Sequence, residues 1–539
     1  MTTAVDVRGS ELTGTRHLIR IALRLDRWRT LIWAVAVAGL TQVSISSLSQ
    51  VYSTPEALAG RAQLISSPAA TALAGPGYGL DNYTVGAMTA NELGLWIMIP
   101  VAIMALLTVT RHLRAEEEDG RLELVRSGPV GRDAPVVAGL VAAVVATVAV
   151  GGLTFLALLS TDLDPVGSLA LCGGIVMVGL VFAGVSAVAS QLTAHARAAT
   201  SLGMAVLGVA FLLRAVGDIN GSALIWASPI GWAQAVHPFS DNRWWPLLLC
   251  VAAAGALLTV AVGLLDHRDL GAGLVSGRPG APAAGSLLAS PLGLAVRLQR
   301  AALLAWAFSL VVLGAVYGSM GDAVESLFKD NPAAQAFLPG ASAAGLIEGY
   351  LATIFSIDAL LAAAFAVSSV LRAHAEESAG RVEPVLATAT SRSAWLRSHV
   401  TVAFLGSALL VVGSGAATAL VRAASSGDSG SFGRLFGASL AYVPAVWALA
   451  GVAVAAVGLV PRAAAAVAWA MIGYAVVVAV FAPGLNWPDW LGDLSPFAWT
   501  PLVPVESWTL PAAAGLAVAV AALLAVGFGA FGRRDLSTG

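Results

Sequence analysis

Arg114-Ala115-Glu116-Glu117-Glu118-Asp119-Gly120-Arg121-Leu122-Glu123-Leu124-Val125 leaves an apolar run directly, and its pattern returns 260 positions later as Glu376-Glu377-Ser378-Ala379-Gly380-Arg381-Val382-Glu383-Pro384-Val385. Glu, Glu, Gly, Arg, Glu and Val align without a gap, and the distal Arg132 falls on Arg392. Three more matches keep the same order. Arg24-Leu25-Asp26-Arg27 with Trp33 resembles Arg297-Leu298-Gln299-Arg300 with Trp306. Ser228-Pro229-Ile230-Gly231-Trp232 parallels Ser495-Pro496-Phe497-Ala498-Trp499, and Arg268-Asp269-Leu270 parallels Arg534-Asp535-Leu536. Matches recurring in one order mark an internal duplication, which takes precedence over any local reading.

Around these short charged motifs the chain is apolar. Of 539 residues 58% are hydrophobic and 11% charged, against about 25% charged in a soluble domain. Runs of about 20 apolar residues recur, each able to cross a hydrocarbon core of roughly 30 Å. Twelve such spans can be drawn, near 31–49, 91–111, 135–160, 166–192, 198–218 and 245–265, then 302–320, 350–371, 395–421, 436–460, 463–483 and 511–531. The chain therefore reads as an all-α polytopic membrane protein, and a soluble enzyme, a nucleic-acid binder and a disulfide scaffold are excluded. Six spans per half is an even number, so the halves insert in the same orientation as parallel repeats, and a pathway between them is the expected place for a substrate.

Arginine placement orients the spans. With the N-terminus inside, 23 basic and 15 acidic residues leave the inner side at +8, and 6 basic and 16 acidic leave the outer side at −10. Both termini are expected in the cytoplasm. The apolar run from Leu31 ends at residues 42–47 without a small-residue cleavage site and is read as a retained span, preceded by Arg alternating with Leu, Ile and Trp over 15–29. That pattern suits a separate amphipathic helix on the inner leaflet. The expected organisation is residues 1–30 as that helix, 31–270 as the first half, 271–295 as a flexible Gly/Pro/Ala linker and 296–539 as the second half.

Acids contribute little to topology, so Glu116, Glu117 and Glu123 in register with Glu376, Glu377 and Glu383 need a further reason. A docking element for a cytosolic partner supplies one, with charge-assisted hydrogen bonds across the interface and a turn at Gly120 and Gly380. A solvated loop is the plainer alternative. No nucleophile, metal-ligand spacing or phosphate cradle accompanies the motif. The single lysine, Lys329, is not in a P-loop. Seven scattered histidines suggest interface anchoring and the isolated Cys172 and Cys250 packing, while Asp162 with Asp164 is a lone Asp-x-Asp, weak as a metal site. Asp358 is an acid within a span, which makes it a candidate for the substrate pathway. Trp226, Trp232, Trp244 and Trp245, with Trp487, Trp490, Trp499 and Trp508, read as outer interfacial anchors.

Together, the basic first helix, six spans, the Glu-rich loop after the second span and the aromatic segment before the sixth resemble ABC-2 type exporter permeases. The doubled form with Glu-Glu-x-x-Gly-Arg loops is similar to actinobacterial permeases described as exporters of polyketide antibiotics and other drugs, over essentially the whole chain. The resemblance implies a type V exporter-like fold in the bacterial plasma membrane, moving amphipathic small molecules outward. It further implies two copies of a separate P-loop ATPase that bind ATP and Mg, so that this chain holds no cofactor and is not itself an enzyme. In such exporters the loop after the second span is a coupling helix seated on the ATPase. Carried over, the coupling residues are Glu116, Glu117, Gly120, Arg121 and Glu123, with Glu376, Glu377, Gly380, Arg381 and Glu383. The motif departs from itself at Glu118-Asp119 against Ser378-Ala379 and at Leu124 against Pro384, so the two docking sites are expected to be unequal. The alternatives are an ion-coupled secondary transporter working through Asp358, or an ABC exporter of a lipid or glycolipid.

Overall fold

A computed structural model describes residues 11–65, 71, 74–269, 271–275, 282–321, 345–428, 430–481 and 489–535, and these hold helices and loops but no strand. Among the described residues, twelve helices are long and apolar enough to cross a membrane: α1 (Thr15–Val51), α2 (Val85–Glu118), α3 (Ala134–Leu159), α4 (Pro165–Leu192), α5 (Ala196–Ile219), α6 (Pro246–Leu265), α7 (Pro291–Ser319), α8 (Ile347–Ser378), α9 (Arg392–Ser426), α10 (Ser431–Leu459), α11 (Pro461–Ala479) and α12 (Leu510–Arg533). Several starts are written locally. Asp164 caps α4 and Ser290 caps α7, each followed by a proline that needs no hydrogen-bond acceptor. The chain divides into two compact units, Met1–Pro279 with α1–α6 and Gly280–Gly539 with α7–α12.

Within each unit the second and fourth helices form the centre. In the first, α2 and α4 bury 61% and 67% of their most apolar stretch, whereas α6 buries 11%. In the second, α8 and α10 bury 67% and 72% and α12 22%. Met98, Val101 and Leu106 of α2 share one core with Ile175, Val178 and Phe182 of α4, and Phe355, Leu360 and Phe365 of α8 share another with Leu449 and Val454 of α10. Lipid tails are as apolar as these side chains, so close packing rather than water exclusion holds such helices together. Gly458 of α10 and Gly527 of α12 show the closeness required: a Cβ at Gly458 would stand 2.4 Å from the Gly527 carbonyl oxygen.

The duplication reaches single hydrogen bonds. Before α6, Trp232 Nε1 donates to the Trp226 carbonyl at 2.7 Å, six positions back. Before α12, Trp499 Nε1 donates to the Asp493 carbonyl at 2.8 Å, also six back. Trp226 additionally stacks on Trp245, with centroids 5.3 Å apart.

Two sequence expectations are corrected. The amphipathic segment is not a separate surface helix, because α1 runs unbroken from Thr15 to Val51. No Pro or Gly interrupts residues 15–38, and 37 residues give a rod of about 55 Å, longer than a hydrocarbon core. The expected linker is also shorter than 271–295. Leu274 and Val275 donate backbone N–H groups to the Gln191 and Leu192 carbonyls at 3.2 and 2.9 Å, and α7 already starts at Pro291. Gly273 allows this docking on the end of α4, since a Cβ there would lie 2.5 Å from the Thr193 carbonyl carbon. Arg8, Leu270, Arg278, Lys329, Trp487 and Leu536 lie outside the described residues.

Candidate coupling site

In both units the helix carrying the repeated motif ends at a glycine in the left-handed region, Gly120 at φ +73° and Gly380 at φ +68°. A Cβ at either position would meet nothing within 4 Å, so the backbone angle, not space, asks for glycine. Gly380 N–H bonds to the Glu377 carbonyl at 2.9 Å and Arg381 N–H to the Glu376 carbonyl at 3.0 Å. Those two bonds are a Schellman closure, in which the third-last and last-plus-two residues normally touch through apolar side chains. Here they touch through charge. Arg381 Nε meets Glu376 at 2.7 Å, and Arg121 Nε meets Glu116 at 3.2 Å. After the turn a short helix follows, Arg121–Arg126 or Glu383–Leu386, and then α3 or α9.

The second glutamate of each pair points the other way, into its own unit. Glu117 receives both terminal nitrogens of Arg268 at 2.7 Å each, the Gly271 N–H at 2.7 Å and Arg114 at 3.0 Å. Glu377 receives both terminal nitrogens of Arg534 at 2.6 Å each. Glu117 and Glu377 are buried, at 7% and 0% exposure. Bidentate arginine–carboxylate pairs are strong and fix geometry. Each therefore clamps the end of the second helix to the end of the sixth. The distal arginines add a tie: Arg132 donates to the Leu265 carbonyl at 2.6 Å, and Arg392 to the Arg534 carbonyl at 3.0 Å. In the first unit the start of α1 joins as well, through Gly131 N–H to the Thr13 carbonyl at 2.9 Å.

What remains outward is small. Glu123 and Glu383 are exposed, and their side chains make no hydrogen bond or ion pair among the described residues. Leu124 is 76% exposed, and its counterpart Pro384 is exposed too. Asp119, and after it Glu116, raise the exposed Arg121 guanidinium above its ordinary pKa, while burial lowers that of Arg126. The first hairpin is the more acidic, but Glu118 has an internal partner: it accepts the Ala196 N–H at 2.8 Å at the start of α5. The second unit starts the matching helix, α11, on Pro461, which has no N–H to cap. Ser378 can therefore replace an acid there.

A family model described as the C-terminal domain of the multidrug efflux system permease Rv1217c matches residues 16–268 and 288–532. The chain belongs to this family of multidrug efflux permeases. It is 40% identical over 533 residues to the multidrug efflux system permease protein Rv1217c of Mycobacterium tuberculosis (strain ATCC 25618 / H37Rv), an alignment spanning 98% of this chain and 96% of the relative.

In the permease, then, eight of the ten motif residues stand in three roles. Gly120 and Gly380 make the turns; Glu116, Arg121, Glu376 and Arg381 staple them; Glu117 and Glu377 anchor them inward. Among the described residues of the motif, Glu123 and Glu383, with the exposed faces of Arg121 and Arg381, stay outward. Asp358 is placed apart, buried in α8 of the second unit, accepting a hydrogen bond from Ser414 of α9. Sequence reasoning missed Arg268 and Arg534 as partners of the motif. The signal was present, since two arginines repeat in the same order as the two glutamates.

Proposed function

We propose that this permease is the membrane subunit of an exporter for amphipathic drugs and antibiotics, driven by ATP hydrolysis in two copies of a separate chain that supplies the ATP and Mg site. The observation that carries the reading is the pair of stapled hairpins, each bound by a buried Glu–Arg clamp to the sixth helix of its half. A docked ATPase pressing on such a hairpin would move the second and sixth helices together, because a bidentate ion pair joins them. Both hairpins face the cytoplasm in this reading, as do both termini, in agreement with the positive-inside arginine distribution. The two six-span halves are the moving parts, and the drug is the cargo named for the relative from Mycobacterium tuberculosis.

Charge reversal of the outward glutamates, Glu123→Arg with Glu383→Arg, tests it. These side chains make no hydrogen bond or ion pair among the described residues, so expression and melting temperature are expected to hold. Substrate-stimulated ATP hydrolysis of the complex is expected to fall at least ten-fold. Unchanged stimulation in the double variant would contradict the docking assignment.

A further inference from the structure

A second charged site lies between α1, α2 and α3, away from the hairpin clamps. We infer that it binds the phosphate headgroup of an anionic phospholipid. A cavity of about 210 Å³ is lined by Asp26, Arg29, Thr30 and Trp33 of α1 and by Thr108 and Arg111 of α2. Arg29 is exposed and makes no hydrogen bond or ion pair among the described residues. Arg111 holds Asp26 through one terminal nitrogen, and His112 holds the other carboxylate oxygen. The acid is thus already neutralised, and the cavity keeps the unmatched positive charge of Arg29 beside the remaining guanidinium N–H groups of Arg111.

Depth points to lipid. The apolar run of α1 begins at Leu31 and that of α2 ends at Thr110, so both arginines stand where acyl chains give way to headgroups. Trp33, half-buried, lies one turn deeper, as interfacial tryptophans do. Basic pockets between spans at this level recognise phosphate-bearing headgroups.

The duplication supplies an internal control. At the matching places the second unit has Gln299 for Asp26, Ala302 for Arg29 and Leu371 for Arg111. Gln299 is there bonded to Ser369 and to His399, and the next arginine, Arg372, is held by Glu376 at 2.9 Å. The same scaffold therefore forms without the two cations. Insertion and helix packing do not demand them, and the first unit keeps them for a ligand.

The test is the affinity of the purified full-length chain for its first bound phosphatidylglycerol, against phosphatidylcholine, by native mass spectrometry. The wild type is expected to prefer phosphatidylglycerol. Arg29→Ala with Arg111→Leu, which installs the second unit's own residues, is expected to weaken that binding at least ten-fold, from roughly five-fold per arginine. Should the double variant not fold, Arg29→Ala alone, which breaks no hydrogen bond or ion pair among the described residues, is expected to weaken it about five-fold. Arg20→Ala with Arg24→Ala, exposed on α1 outside the cavity, is expected to retain the preference. No preference in the wild type, or an equal loss in the Arg20/Arg24 variant, would overturn the assignment. So would displacement of the lipid by millimolar inorganic phosphate, which would mark a free-anion site.

Discussion

The two glutamates at the head of each motif are chemically alike and do different work, because one position along a helix turns a side chain by about 100°. Glu116 and Glu376 reach across the turn to an arginine on the same hairpin. Glu117 and Glu377 reach an arginine 151 and 157 residues away. Removing one partner of a buried pair leaves the other charge without compensation, which costs about 3–5 kcal/mol. Glu377→Gln and Arg534→Gln are each expected to lower stability on that order in a denaturant or thermal melt. The exchanged pair Glu377→Arg with Arg534→Glu is expected to recover part of the loss, and a double-mutant cycle measures the coupling. Additive losses in that cycle would show that the two groups do not act as a clamp. Glu383→Gln, one turn further on and exposed, is expected to change stability by less than about 0.5 kcal/mol.

At the scale of elements, the hairpins share a left-handed glycine and a Glu–Arg staple and are unequal in capping. Glu118 satisfies the start of α5, so Glu118→Ala is expected to destabilise the first unit by about 1 kcal/mol. Ser378→Ala is expected to be neutral, since α11 begins on a proline. Hydrogen exchange at the first turns of α5 and α11 distinguishes the two, and equal protection changes would refute the capping role. The helices themselves were readable from run length and apolarity, and the hairpin turn from Gly in a repeated register. The clamp arginines repeat in register with the glutamates, but their proximity to them was not readable, because it comes from packing of the sixth helix on the fourth, which no local pattern encodes. The continuity of α1 was misread for another reason. Its Arg-Leu alternation suggests a surface helix, but a long stretch without Pro or Gly lets the helix propagate straight into the span.

For the molecule as a whole, a net charge of −2 conceals a sharp ordering. The few charges are concentrated at span ends, where they staple hairpins, clamp helix ends and line the α1–α2–α3 cavity. A chain with 58% apolar residues takes most of its energy from packing in lipid, so its ion pairs act mainly as position markers. That division explains why the duplication was legible: the span interiors are interchangeable apolar sequence, while the charged positions that set geometry kept their identity and spacing. In the proposed exporter two hairpins, one per half, receive a separate ATPase. The two native cysteines, Cys172 and Cys250, are buried, so single cysteines placed at the exposed Leu124 and Pro384 are the reactive thiols. The decisive measurement is thiol-directed cross-linking of Leu124→Cys and Pro384→Cys in the complex purified with its ATPase. The expected result is a cross-link from each position to an ATPase chain, lost in the Glu123→Arg and Glu383→Arg background. Active transport with neither position cross-linking to an ATPase chain would contradict docking at the hairpins.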